Sequence, residues 1–256
     1  MRSALLACLL AGPLLAAPVP IEPKWGTITG RFAWDGVAPA NPVVKAIRDK
    51  AHCTSKGDLL KDELIVDPKT KGVKNIALWL VDAKDHAKKL PVHPDAAKAL
   101  PRRVEVAVPC CRFEPRVVVL SEGQELVAAN PSPVAHAFRL QPLEGPGVNV
   151  LLKPDSRYVA GKVAPALVPA LASCPIHPWM RGWVLAVPSP HAAVTGKDGS
   201  FTIKEAPVGE WVLMAWHERT GWVFRPPGKI DPKGRRLKVK AGTNDLGTMK
   251  FAAPDD

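Results

Sequence analysis

Residues 174–180 read Cys-Pro-Ile-His-Pro-Trp-Met, so a thiolate donor, an imidazole and a thioether fall within seven residues. That mixture of soft and borderline donors suits copper: a one-electron copper centre takes two imidazoles, one thiolate and a weak axial thioether. Cys174, His177 and Met180 supply three of the four. The fourth is expected to be a His at the start of a strand elsewhere in the same sandwich. His136 fits, thirty-eight residues upstream of Cys174 and just after the Asn130-Pro131-Ser132-Pro133 turn. Zinc suits this set less well, because a thioether is a poor zinc ligand. Covalent haem is excluded by the lack of a Cys-x2-Cys-His sequence. Taken singly, each residue reads as ordinary packing, Cys174 as a small buried hydrophobe and the others as loop or strand-end residues. The four together, in this order, read as a site.

With all four positions filled by protein, no coordination position is left for a substrate. The expected role is therefore single-electron transfer rather than catalysis, and no catalytic residue is assigned. Pro178 and Trp179 are expected to form an apolar rim around an exposed His177, through which an electron passes to a docked partner. His217, in Trp216-His217-Glu218, and His191 lack a nearby nucleophile or paired carboxylate and read as structural or surface residues. His52, His86 and His93 sit in polar, basic stretches and read as solvated.

The elements that must position the ligands are strands. Residues 26–36 alternate apolar and polar side chains and end in Asp35-Gly36, the pattern of a half-buried strand running into a turn. Leu64–Val66 and the more apolar Asn75–Val81 read as further strands, with a short helix over Asp95–Leu100 in the connection that follows. Arg103–Val108, Arg116–Leu120, Glu125–Ala129, His136–Leu140, Tyr158–Val163 and Gly182–Val187 are short, rich in Val or Leu, and punctuated by Glu-Gly or Asn-Pro. Such spacing indicates a β-sandwich or Greek-key barrel. A last set of strands surrounds the Asp198-Gly199 and Val208-Gly209 turns. The chain is expected to be all-β, with boundaries at residues 1–17 (leader), 24–100, 101–189 and 190–252.

The N-terminus carries Arg2, an apolar run from Ala4 to Leu15, and small residues at Ala16 and Ala17. This reads as a secretory signal peptide, too short to span a bilayer, so the mature chain is expected to be periplasmic or secreted, with no membrane span. The formal charge of +11 favours an acidic partner. The basic residues are scattered without interleaved aromatics, which argues against nucleic acid. Beyond Cys8 in the leader, Cys53 with either Cys110 or Cys111 would make one disulfide and leave Cys174 for metal.

Residues 116–187 resemble a cupredoxin, and the loop from Cys174 to Gly182 most resembles the short copper loop of amicyanin. Asn130, six residues before His136, matches the family's spacing. The resemblance implies that His136 and His177 are the imidazole ligands, Cys174 the thiolate and Met180 the axial ligand of one type 1 copper ion. It also implies a redox partner such as an acidic cytochrome. Two positions depart from the family pattern: Ala137 replaces the Asn that usually ties the two ligand loops together, and no aromatic residue shortly precedes Cys174. Losses of this kind alter potential and rigidity before they abolish binding. Together with Cys111-Arg112-Phe113-Glu114-Pro115-Arg116 and Trp216-His217-Glu218, the loop is similar to secreted proteins labelled methylamine-utilisation proteins.

Residues 194–213 resemble carboxypeptidase-regulatory and transthyretin-like sandwiches. In that pattern an opening Gly-x-Ile-x-Gly strand and an apolar strand come earlier, matching Gly26–Phe32 and Ile76–Val81. One discontinuous sandwich made from both ends of the chain is therefore expected, with a tandem arrangement as the alternative. Such modules also bind carbohydrate. This supports a second reading, an adhesion sandwich with a degenerate copper site, in which Trp211, Trp216 or Trp222 stacks on a glycan. Copper storage or delivery through the same ligands is a third.

Overall fold

The computed structural model describes residues 24–224 and 234–252. The expected leader lies outside them. The described chain is all-β. In order it forms β1 (Trp25–Trp34), α1 (Lys50–Cys53), β2 (Ala77–Val81), α2 (Pro94–Ala99), β3 (Arg103–Ala107), β4 (Val117–Ser121), β5 (Glu125–Asn130) and β6 (His136–Gln141). It continues with β7 (Val148–Leu152), β8 (Ser156–Lys162), β9 (Ala170–Ser173), β10 (Arg181–Val187), β11 (Ala192–Val194), β12 (Ser200–Pro207), β13 (Gly209–His217), β14 (Gly221–Trp222), β15 (Arg235–Val239) and β16 (Gly242–Phe251).

Two sandwiches result. One sets the sheet β4-β10-β9-β6-β7 against β3-β5-β8, around a core that includes Val106, Leu120, Leu126, Phe138 and Ala172. The other sets β12-β1-β16 against β11-β2-β13-β14, with β15 added to β13. Its core includes Ile28, Phe32, Leu78, Ile203 and Leu213. The second sandwich draws on both ends of the chain, since β1 pairs antiparallel with β12 and parallel with β16, while β2 pairs with β11 and β13.

Sequence pattern accounts for the faces. β12 alternates exposed and buried residues through Phe201 and Ile203, as a strand with one solvated face must. β2 is buried at all five positions because one face lies in the second core and the other on the neighbouring sandwich. That seam joins Trp79, Val81, Met214 and Trp216 to Val117, Leu185 and Val187. Leu185 and Met214 are fully buried there, and each contributes about 1.5–3 kcal/mol. A buried ion pair crosses near the same place. The Arg116 guanidinium forks onto the Glu218 carboxylate, with Nη2 to Oε2 at 3.0 Å, and Trp183 Nε1 donates to the same Oε2 at 3.0 Å. The Arg112–Arg116 and Trp216–Glu218 stretches, far apart in sequence, are thus the two sides of one contact.

Gly199 shows why its turn takes no other residue. Its φ is +81°, and a Cβ would lie 2.1 Å from the Phe32 carbonyl oxygen. The sequence expectation differs from the structure at several places, the unforeseen α1 among them. Leu64–Val66 is not a strand but contributes an isolated bridge between Val66 and Val73. β7 and β9, which flank β6, have no counterpart among the expected strands. β9 is only four residues, mostly small, which leaves little periodicity to read, whereas β7 is as long as β3 and β4.

Candidate metal centre

The expected ligands converge at one end of the first sandwich. His136 opens β6, where it pairs with Leu152 of β7. Asn130 sets its approach: Nδ2 donates to the carbonyls of Val134 (2.9 Å), Leu152 (3.0 Å) and Lys153 (3.1 Å), while Oδ1 accepts from the Ser132 hydroxyl at 2.7 Å. One buried amide therefore pins the turn that delivers His136. Cys174 and Met180 begin and end the β9–β10 connection, which the Ser173–Arg181 pairing closes at its base. Within it, the Met180 N–H donates to the His177 carbonyl at 2.9 Å.

The donor atoms of His136, Cys174 and His177 all lie within 4.8 Å of one another. Cys174 Sγ is 3.8 Å from His177 Nδ1, and the two imidazole centroids are 4.6 Å apart. All three residues and Met180 are buried. Both ring nitrogens of His136 are buried without a hydrogen-bond partner. Burial, the nearby His177 and His52 then push its pKa down to about 4, so the ring is held neutral with a free lone pair. A buried unpaired polar group costs about 1–3 kcal/mol, an expense that a ligand for those nitrogens would remove. The position where an Asn is missing has a backbone substitute, since the Ala137 N–H donates to Cys174 Sγ at 3.2 Å and ties the two ligand loops.

The expectation of an exposed His177 is overturned. His177 is 0 % exposed, and its Nε2 lies 2.8 Å from Asp49 Oδ2. Asp49 caps α1, in a stretch that reads from sequence only as an irregular basic loop. The Cys53–Cys111 disulfide fastens that helix to the sandwich and decides the pairing. Cys110 keeps a buried thiol, 3.5 Å from the His52 carbonyl. His52 is not simply solvated either, because its Nε2 is buried and unpartnered. Pro178 remains exposed, and Trp179 meets the His177 ring edge-on with centroids 5.2 Å apart. His191 and His217 are buried, and His191 Nε2 lies 2.7 Å from the Pro91 carbonyl oxygen. Trp216 and Trp222 are buried at the seam, so of the three tryptophans named as candidates for stacking on a glycan only Trp211 keeps partial exposure.

No family model matches the chain, and no curated protein matches it. Several solved structures are similar to part of it. A purple cupredoxin from Nitrosopumilus maritimus is 17% identical over 32% of this chain and 98% of its own, with a TM-score of 0.28. An oxidized point mutant of amicyanin is 16% identical over 35% of this chain and 87% of its own, at 0.30. A copper-containing nitrite reductase from Thermus scotoductus SA-01 is 20% identical over 39% of this chain but 27% of its own, at 0.32.

Proposed function

We propose that this chain is an exported mononuclear type 1 copper protein that passes single electrons, with His136, Cys174, His177 and Met180 as its ligands. The observation that carries this reading is the pair of unpartnered, buried nitrogens on His136 beside a thiol and a second imidazole. The donor set fits the ion: two imidazoles, one sulfur held by a backbone N–H, and a buried thioether in the same core. When bound, the copper would supply a one-electron couple.

The protein's own part is preorganisation. Asn130 and the β9–β10 pairing hold the two ligand loops before metal arrives. Burial excludes water from the thiolate, and the Ala137 N–H fixes and partly neutralises it. Asp49 orients the His177 ring through its second nitrogen, as carboxylates do beside metal-ligating histidines. With Asp49 over His177, the way out for an electron is the Trp179 ring edge and the exposed Pro178 next to it. An acidic redox protein suits the basic surface.

Adding Cu(II) to the purified protein tests the reading. An intense thiolate-to-copper band near ~600 nm, lost in Cys174→Ala, is expected from Cys-containing trigonal ligation. No band, or a weak and rapidly exchanging one, would count against it, the latter in favour of storage or delivery. One observation favours a glycan reading for the second sandwich. An open cleft of about 710 Å³ is lined by half-buried Trp211 with Asp82, Glu210 and Arg236, and a glycan array probed with the wild type and Trp211→Ala decides it.

A further inference from the structure

His177 belongs to two clusters of metal donors. The first is the proposed centre. In the second, its ring lies beside the sulfurs of Cys53 and Cys111, with all three donor atoms within 4.8 Å of one another. All three residues are buried, at 2 %, 0 % and 0 % exposed for Cys53, Cys111 and His177. Two further donors sit on the same two segments. Cys110 holds its thiol 3.9 Å from the Cys53 carbonyl, and His52 turns an unpartnered, buried Nε2 inward from the same helix. A disulfide serving only to fasten a loop has no need of an imidazole at its sulfurs.

We propose that the Cys53–Cys111 pair, once reduced, forms with His177 a second, thiolate-rich site for Cu(I). Two thiolates and one imidazole make a trigonal soft donor set of the kind Cu(I) prefers. The step that opens the site is thiol–disulfide exchange with a dithiol reductant. A thiolate of the reductant attacks one sulfur of the pair, its second thiol resolves the mixed disulfide, and the reductant leaves as its own disulfide. Cys53 and Cys111 are left as two thiols. Binding one Cu(I) then releases their two protons, with no further electron transfer. Access requires only local opening of α1, a single turn whose first two residues, Lys50 and Ala51, are exposed, as are Asp49 before it and Ser55–Asp58 after it. The two clusters meet at one imidazole, so an ion held by the dithiol lies next to Cys174 and His136 without a separate channel. This inference does not depend on electron transfer at the first site.

The experiment isolates the pair. In the full chain with Cys8, Cys110 and Cys174 replaced by Ala, Cys53 and Cys111 are the only thiols, and the first site is disabled. The protein, with and without reduction by a phosphine, is titrated against the Cu(I)–bicinchoninate complex in the absence of oxygen. The reduced form is expected to strip one equivalent of Cu(I) and the disulfide form none. Adding Cys53→Ser should abolish the uptake, although that variant lacks the disulfide just as the reduced form does. Adding His177→Ala should weaken it by at least about tenfold, within the range seen when a metal site loses a supporting group. Equal uptake by the reduced and disulfide forms would overturn the proposal. So would an unchanged affinity in the His177→Ala background, because an unfolded dithiol binds Cu(I) without regard to that residue. Should the triple variant not refold, the wild-type chain decides: its Cu(I) affinity must rise at least about tenfold on reduction, and Cys53→Ser must not show that rise.

Discussion

The His177 ring is held from both sides, with Nδ1 turned to the Cys174 sulfur and Nε2 to the Asp49 carboxylate. Removing Asp49 frees the second nitrogen and opens the ring to water. Asp49→Ala is expected to weaken copper binding by about tenfold or more while leaving the thiolate band recognisable, as read by chelator competition and visible absorption. The four proposed ligands could be picked out in sequence because each is chemically distinctive and three lie in one short loop. Asp49 was not. It is a single acid in a basic, aperiodic stretch, and its arrival at His177 depends on a disulfide whose second cysteine the sequence left open between two neighbours. Asn130 was legible as spacing, but its work, three carbonyls accepting from one amide, is visible only once the turn is folded.

Two connections between elements carry unusual energetic weight. The disulfide closes a separation of 58 residues between α1 and the segment before β4. By chain entropy, its removal in Cys53→Ser/Cys111→Ser is expected to cost about 4 kcal/mol, measurable as a lower urea midpoint, and to speed metal release from the uncovered His177. The second connection is Arg116–Glu218, whose side chains are 14% and 3% exposed. Glu218→Gln leaves a buried guanidinium without its counter-charge and Trp183 with a weaker acceptor. A loss of about 3–5 kcal/mol is expected in urea unfolding, whereas an apolar replacement of both partners should cost much less. At this scale the strands with clear alternation, such as β1 and β12, were readable. β9 and the four-residue α1 were too short to carry a period.

For the molecule as a whole, two buried histidines set a pH response. Burial is the main cause that pushes both His136 and His217 down to about 4, while an unfolded chain takes up the proton near the ordinary 6.5. The unfolded state therefore binds more protons between those limits, and stability rises with pH across them. Acidifying the metal-free protein from pH 7 to 4 is expected to cost on the order of 3 kcal/mol per histidine, and His217→Asn should make the urea-midpoint profile shallower. The formal charge of +11 leads to a further expectation, that electron exchange with an acidic partner slows as salt is raised. Finally, β1 lies between β12 and β16, so the first described strand cannot pair until strands late in the chain have been synthesised. The strands from β3 to β10 are contiguous and need not wait. The order of assembly should accordingly be inside-out: in stopped-flow refolding, the β3–β10 sandwich closes as an early kinetic unit and the enclosing one in a slower phase governed by long-range closure.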